Sequence, residues 1–307
     1  MKEKINLRKK INVLSLFDGI ACARQALDRA GFNVATYYAA EIHEPSILVA
    51  KTNYSDIIEV GDVRNLKGSD YKHIDMIVGG SPCQNFSLAG TRKGMSTISN
   101  VMVTTLKQYL HLKANGFVFQ GESYLFWEFV RLVEEIREYN PNLIFLLENV
   151  KMKKQWEVII SDALGVEPYA INSSVMSAQN RPRFYWTNID VNPIIDKNIG
   201  FNQIIPGAIA AGQRGIPTHA TYGARYKAKR TMRKDNKSNC VVCSPHQTGR
   251  YMLNDEYLMI TPEHAEQLQT IAIGYTKVDG VSATERYKMV GNAWTVDVIA
   301  HIFDSIK

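Results

Sequence analysis

Short apolar runs, each ending at a turn rich in acids, glycines or a cysteine, set the limits on what this chain can fold into. Residues 11–17 (INVLSLF) turn at Asp18-Gly19 into a helical pattern over 21–30, which Gly31 stops. Residues 34–40 end at Glu41, a helix is expected over 45–53, residues 57–60 end at Gly61-Asp62, and residues 74–78 end at Gly79-Gly80. Residues 125–139 carry Phe126, Phe129, Val130, Val133 and Ile136 at helical spacing, and 142–147 read as a strand ending at Glu148-Asn149. Buried strands alternating with helices predict an α/β fold with a doubly wound, largely parallel sheet. In such sheets ligands bind outside the carboxyl ends of the strands. The loops expected there hold Asp18, Glu41, Asp62, Cys83 and Glu148.

The alternation breaks after Asp190. Residues 192–254 have scattered Gly, Pro, Asn and Ser and few apolar runs; order resumes at Thr261-Pro262-Glu263, a helix start with proline in its first turn. That helix is expected to run to about Ile271, with a last amphipathic helix after Asn292. A small domain over 189–258 is therefore expected to be inserted into a large one made of 1–188 and 259–307.

Charge separates the same regions. The chain carries 36 Lys and Arg against 30 Asp and Glu, a net +6. Residues 213–250 hold nine bases (Arg214, Arg225, Lys227, Lys229, Arg230, Arg233, Lys234, Lys237, Arg250) against Asp235, or +8, and residues 1–10 hold +4. The remaining residues thus sum to −6. A mildly acidic body with one concentrated basic segment suits a polyanion met at one place, and equally a solvated loop. Tyr222, Tyr226 and Tyr251 among the bases tilt the choice toward nucleic acid. Four cysteines (Cys22, Cys83, Cys240, Cys243) are too few for a disulfide scaffold and suit a reducing compartment. No apolar run reaches membrane-span length, and the basic start does not read as a signal peptide.

Individually the loop residues are ambiguous. Phe17-Asp18-Gly19-Ile20-Ala21 lacks the full G-x-G-x-x-G pattern and fits an ordinary βα turn as well as a nucleotide turn. An acid such as Glu41, about 20 residues past a glycine turn, commonly accepts ribose hydroxyls, and Asp62 could accept from an adenine amino group; each could also be a helix cap. In Gly80-Ser81-Pro82-Cys83-Gln84 the proline fixes the backbone before a thiol at a strand end, although a lone cysteine is more often a small buried hydrophobe. Glu148-Asn149-Val150 and Gln179-Asn180-Arg181-Pro182-Arg183 add an acid and two guanidiniums. A thiol, an acid and arginines at one cleft fit nucleophilic attack on an electron-poor ring.

Taken together these residues resemble the cytosine-5 DNA methyltransferase family. The motifs stand in the family's order: Phe17-Asp18-Gly19, Glu41, Gly61-Asp62-Val63, Pro82-Cys83-Gln84, Leu125-Phe126, Glu148-Asn149-Val150, Gln179 through Arg183, Leu268-Gln269 and Gly291-Asn292-Ala293. The phrases SLFDGIA, VGDVRN and GGSPC, with Trp294, look like the mammalian de novo enzymes, whereas the Gly-Asn-Ala and Pro-Cys-Gln spellings look bacterial or viral. The resemblance implies a Rossmann-like fold with a small inserted target-recognition domain, and S-adenosylmethionine as cofactor. It implies catalysis by Cys83, Glu148, Arg181 and Arg183. The cofactor residues it implies are Phe17, Asp18, Gly19, Ile20, Glu41, Ile42, Asp62, Val63, Gly80, Pro82, Leu125, Asn292 and Trp294. Gln84, Arg225, Lys227, Lys229, Arg230, Arg233 and Lys234 are the expected contacts to double-stranded DNA. The setting would be the cytoplasm of a bacterial or phage-infected cell, with a monomer as the default. A tRNA methyltransferase of the same family and a catalytically silent DNA-binding homologue are the rivals.

Two features stand apart. Cys240-Val241-Val242-Cys243 has a zinc-ligand spacing, but only His246 and His219 remain to complete four ligands, so no metal is expected. About twenty residues before Phe117 exceed the family's loop length. Val101, Met102, Val103, Leu106, Tyr109, Leu110 and Leu112 there have a rough helical period, which predicts a surface helix, or one that touches DNA or a partner.

Overall fold

The computed structural model describes residues 10–82, 95–99, 101–212, 231–244 and 249–306. The chain is divided into two compact units: Met1–Ile171, Pro182–Asn192 and Ile302–Lys307 form the first, and Asn172–Arg181 and Pro193–His301 the second.

The first unit is built on a seven-stranded sheet. In chain order its elements are β1 (Lys10–Leu16), α1 (Cys22–Arg29), β2 (Asn33–Ala40), α2 (Glu44–Asn53), β3 (Ile58–Glu59), β4 (Met76–Gly79), α3 (Leu106–Ala114), α4 (Phe126–Arg137), β5 (Ile144–Val150), α5 (Lys154–Leu164), β6 (Tyr169–Asn172, its last residue counted with the second unit) and β7 (Pro182–Thr187). The strand order is β3-β2-β1-β4-β5-β7-β6. The pairs from β3 to β5 are parallel, and β7 runs antiparallel to β5. The chain winds outward from β1 to β3, then returns to lay β4 on the other side of β1. Right-handed crossovers in opposite directions place helices on both faces of a sheet, so the doubly wound, Rossmann-like expectation is met. Loops after β1 and β4 flank the switch point, where ligands bind in this architecture.

Local chemistry explains the elements. β1 and β4 are buried along the sheet centre, with Val13, Leu14, Leu16, Ile77 and Val78 fully excluded from solvent, which matches their largely apolar sequences. In α1 the chain ends in a Schellman turn: Gly31 takes φ 73°, its N–H donates to Asp28 O, and Phe32 N–H donates to Leu27 O, each at 3.0 Å. α4 buries Phe126, Phe129, Val130, Val133 and Ile136 against the core, the stripe its spacing predicts.

The expected helical period across 101–112 is only half right. Helix α3 begins after Thr105, whose side chain accepts from Gln108 N–H. Val101 and Val103 are instead extended, hydrogen-bonded back to Thr97 and Met95. Branched Val101 and Val103 favour the pleated conformation and the threonine cap stops the helix from reaching them.

The second unit has its own core of Ala178, Phe201, Ile205, Ala208, Ala210, Val241, Tyr251, Ile260, Ala265, Leu268 and Val290. Its elements are a short α6 (Phe201–Ile204), a three-stranded antiparallel sheet in the order β10-β9-β8 from β8 (Ile209–Ala210), β9 (Arg250–Leu253) and β10 (Glu256–Met259), then α7 (Pro262–Leu268) and α8 (Ala283–Asn292). The last helix, α9 (Val296–Asp304), gives its residues through His301 to this unit. Among the described residues no helix is long and apolar enough to cross a membrane.

Candidate active site

The turn after β1 is conformationally unusual. Phe17, Gly19 and Ala21 have φ values of 57°, 60° and 57°, so three residues in five are left-handed. Such runs cost backbone strain and recur at ligand-holding turns; here the N–H groups of Asp18, Gly19 and Ala21 donate to Ala40 O, Glu41 Oε2 and Asp18 O. Within this turn Asp18 is 8% exposed. Its Oδ1 accepts from the Tyr37 hydroxyl at 2.6 Å, whereas its Oδ2 is buried without a protein partner. Burial is the main cause that pushes its carboxyl up to about 6, against the lowering effect of the Ser15 and Tyr37 hydrogen bonds.

Glu41, at the end of β2, is already oriented. Oε2 accepts from Gly19 N–H and Oε1 from Ile42 N–H and His43 N–H, each at 2.8 Å. One carboxylate thus ties the β1 turn to the start of α2 and, with about four lone-pair sites, retains capacity for a ligand donor. Asp62 caps a short 3-10 turn, accepting from Arg64 N–H at 2.9 Å, and pairs with the Arg64 guanidinium. That hydrogen-bonded cation holds its carboxyl below the ordinary range. Ile20 and Val63 are buried in the core, Ile42 is exposed, and Gly80, Pro82 and Leu125 are half-buried.

Nothing in the sequence singles out Glu59. Both its carboxylate oxygens are buried without a protein partner. Burial first, then repulsion from Asp18, pushes its carboxyl up to about 7. Because Asp18 and Glu59 titrate above the unfolded range in the folded protein, the native state binds protons that the unfolded chain has released. Their stabilising contribution is therefore full below about pH 4 and is lost as pH rises toward 7. Glu59→Gln is expected to reduce the fall in melting temperature between pH 5 and pH 8, and melting curves identical in pH dependence to wild type would refute this.

At the end of β5, Glu148 is 8% exposed. Because β7 is antiparallel to β5, the beginning of β7 lies at the carboxyl end of β5, with Arg183 opposite Val150. Arg183 Nε reaches Glu148 Oε1 at 2.9 Å, a mostly buried ion pair. Next to it, Asn149 Nδ2 donates to Ser81 O at 3.2 Å and to Ser81 Oγ at 3.1 Å. Asn149 therefore anchors the turn that leads into Cys83 to the strand that presents Glu148. The Glu-Asn-Val spelling marks the position, but the tether depends on β4 and β5 being neighbours.

In the second unit, Arg181 is 3% exposed and donates to Val241 O, Gly291 O and Ala293 O at 2.8, 3.1 and 2.8 Å and to Cys240 Sγ at 3.1 Å. Gly291 is required there, since a Cβ would fall 2.3 Å from the Val242 carbonyl carbon. Gln179 is fully buried and bonded to Leu268 O, Gln269 and Val241 N–H. Asn292 closes α8 and accepts from Cys243 Sγ at 2.9 Å, and Trp294 is buried. Arg233 is held by Asp235 and by Asn239 Oδ1 at 2.8 Å, while Lys234 is exposed. Lys237 is absorbed by the fold, donating to Ser174 O, Ser177 O and Ile199 O at 2.6, 3.1 and 2.6 Å.

Cys83, Gln84, Arg225, Lys227, Lys229 and Arg230, with His219 and His246, lie outside the described residues. Among the described residues no group of three or more His, Cys, Asp or Glu could hold a metal ion.

A family model described as C-5 cytosine-specific DNA methylase matches residues 11–206, more than half of the chain. The orphan methyltransferase M.SPBetaI of Bacillus phage SPbeta is 30% identical over 199 residues, covering 57% of this chain and 44% of its own. The type II methyltransferase M.Bsp6I of Bacillus sp. (strain RFL6) is 27% identical over 187 residues, covering 57% of this chain and 51% of its own. The chain thus spans about half the length of these curated relatives. Among solved structures, the Entamoeba histolytica methyltransferase EhMeth aligns with a TM-score of 0.65 at 14% identity, covering 98% of this chain and 100% of its own, a likeness of fold.

Proposed function

Since the chain belongs to the C-5 cytosine-specific DNA methylase family, we propose that it transfers a methyl group from S-adenosylmethionine to carbon 5 of cytosine in a specific sequence of double-stranded DNA. The observation that carries this reading is the Glu148–Arg183 ion pair at the carboxyl end of β5, beside the Asn149 tether to the Cys83 turn. An acid and a guanidinium held together suit the nitrogen 3 and carbonyl edge of a pyrimidine.

The residues around β1 to β3 fit the cofactor. A buried Asp18 oxygen without a partner and a Glu41 carboxylate with remaining capacity call for hydroxyl or ammonium donors, which an adenosine joined to an amino acid offers. Phe17, Gly19, Ile20, Ile42, Val63, Gly80, Pro82 and Leu125 would complete the surroundings, and Asp62 would accept from the adenine amino group. Asn292 and Trp294, in the second unit, are assigned to the cofactor on the family likeness. When bound, S-adenosylmethionine supplies an electrophilic methyl group.

The chain's own residues then act on the base. Cytosine carbon 5 is a weak nucleophile, so the Cys83 thiolate adds to carbon 6 and the ring's π electrons move toward carbon 5 and nitrogen 3. Glu148 holds a proton at nitrogen 3 and Arg183 the ring carbonyl oxygen, offsetting the charge that builds there. Carbon 5 would then take up the methyl carbon as the methyl–sulfonium bond breaks, its electron pair staying on the cofactor's sulfur. A base then removes the carbon 5 proton, and those electrons restore the ring double bond and expel Cys83 as thiolate. The ring cannot be attacked while stacked, so the base is flipped out at a cost of a few kcal/mol. Arg181 supports the motif loop from within the second unit.

Residues 189–258 are proposed as the target-recognition domain, acting in the cytoplasm of a bacterial or phage-infected cell. Sequencing methylated cytosines in DNA from cells expressing the protein is expected to find one recurrent modified sequence. Labelling of tRNA but not duplex DNA would favour the RNA enzyme instead, and labelling of neither would favour a silent homologue.

Two further expectations follow from the binding surfaces. Glu41→Ala and Asp62→Ala should each weaken S-adenosylmethionine binding by roughly 1–3 kcal/mol, the worth of a buried ligand hydrogen bond. Calorimetry showing unchanged affinity in both would refute the assignment. Of the bases at 225, 227, 229, 230, 233 and 234, most are expected on phosphates, with Gln84 nearer the target base. Lys227→Gln with Lys229→Gln should flatten the slope of log affinity against log salt by up to about 2 and weaken all DNA sequences alike. An unchanged slope would remove both lysines from the interface.

A further inference from the structure

Residues 95–99 and 101–120, between the Cys83 turn and α4, form a firmly built element with an apolar outer surface. Val103 N–H donates to Met95 O, Thr97 N–H to Val101 O, Ile98 N–H to Val118 O and Gln120 N–H to Ser96 O, all at 2.8–2.9 Å, making a three-segment ribbon. Gln108 Nε2 donates to Met102 O at 2.8 Å and ties α3 to it. On the buried side the Phe119 ring lies 5.0 Å from Tyr109 and 4.7 Å from Tyr124. The Tyr109 hydroxyl, Lys113 Nζ at 2.5 Å and Arg131 Nε at 2.7 Å converge on the fully buried Glu128. Nevertheless Ile98 is 62% exposed, Met102 48%, Phe117 44% and Val118 63%. Single exposed hydrophobes are ordinary, but four on one anchored ribbon mark a contact surface.

The charge balance of this stretch of sequence selects the partner. In the sequence, residues 76–121 contain no Asp or Glu, where the chain's average would place about four or five, but hold four bases, Arg92, Lys93, Lys107 and Lys113; of these Lys113 is paired with Glu128 and Lys107 is exposed. A second copy docking through the same patch would set like charges against each other, whereas a polyanion meets no repulsion. Chain length points the same way. Met95 is twelve residues from Cys83, so at ~3.4 Å per residue the ribbon starts no more than roughly 40 Å from the nucleophile, about one turn of duplex.

We infer that this ribbon is a second DNA-contacting surface: Ile98, Met102, Phe117 and Val118 lie against the sugars and base edges of the duplex, and Lys107 pairs with a phosphate. Apolar side chains of these types wedge against base steps in proteins that deform DNA, and a deformed duplex lowers the cost of extruding a base. The inference rests on the reading of the protein as a DNA methyltransferase.

The test is the full-length Ile98→Ser/Met102→Gln/Val118→Ser protein, altered only at exposed positions. Its affinity for the methylated duplex's unmethylated form should fall about tenfold or more, with S-adenosylmethionine binding and melting temperature as in wild type. Unchanged affinity, with wild type methylating that duplex, would overturn the ribbon's role and leave the enzyme assignment standing. A wild-type dimer in sedimentation that the variant dissolves, with DNA affinity unaltered, would overturn it in favour of a second copy. Wild type that neither binds nor methylates duplex DNA would overturn both readings. Should the triple variant misfold, Lys107→Gln decides: a salt slope flatter by about 1 supports the contact and an identical slope refutes it.

Discussion

The Cys83→Ser protein is expected to bind S-adenosylmethionine and duplex DNA about as wild type does while methyl transfer falls on the order of a thousandfold or more. A hydroxyl nearly matches the thiol in shape but is far less acidic and less nucleophilic, so the covalent step is lost and the binding surfaces are kept. Arg183 is paired with Glu148, and Asn149 grips Ser81 O and Oγ, so these groups keep protein partners of their own. The expected loss is therefore in kcat, with KM for DNA little changed. A linked result separates this mechanism from direct transfer. With DNA carrying 5-fluorocytosine, wild type should form a complex stable to denaturing gels, because the fluorine at carbon 5 cannot leave as a proton does and Cys83 stays bonded to carbon 6. The Cys83→Ser protein should form none. Turnover by the serine protein at the wild-type rate would end the assignment of Cys83, and an active wild type that cannot be trapped would call for a different chemistry.

Much of the parallel sheet was legible because the central strands are largely apolar and each ends where the chain changes character. The central strands expected over 11–17, 34–40 and 142–147 appear as Lys10–Leu16, Asn33–Ala40 and Ile144–Val150. Helix α5 carries a weaker signal, with Trp156, Ile160 and Leu164 spaced by one turn and Gly165 in the left-handed cap. What stayed hidden depends on which strands become neighbours. Tyr37 caps Asp18 only because β2 lies parallel to β1, with Tyr37 opposite Val13, and Asn149 reaches Ser81 only because β5 lies beside β4. The same limit applies to charge. Lys234 and Lys237 look alike in a basic run, yet one is exposed and the other ends among three carbonyls, where burial lowers its affinity for a proton. Composition counts bases, but only the fold shows which are free to meet phosphate.

Arg181 and Arg183, two residues apart, are expected to fail in different ways. Arg181→Ala should cost about 3–5 kcal/mol of stability, because it leaves the carbonyls of Val241, Gly291 and Ala293 without their donor and opens a void in a well-packed region. Against the roughly 5–15 kcal/mol that holds a domain of ordinary stability, that is enough to loosen the second unit at physiological temperature. Lysine cannot reproduce the fork that reaches a loop at Val241 and a helix end at Gly291 together, so Arg181→Lys should recover only part of the loss. Arg183 stands instead at the carboxyl end of β5. Its guanidinium joins Glu148 and its own Pro182 carbonyl at 2.9 Å, and Arg183→Ala should lower kcat by roughly 10- to 1,000-fold with a smaller change in melting temperature. Urea titrations read together with single-turnover rates distinguish the two. An Arg181→Ala protein that unfolds at the wild-type urea midpoint and loses only turnover would move Arg181 from the scaffold to the substrate. An Arg183→Ala protein that turns over normally would remove Arg183 from the chemistry altogether.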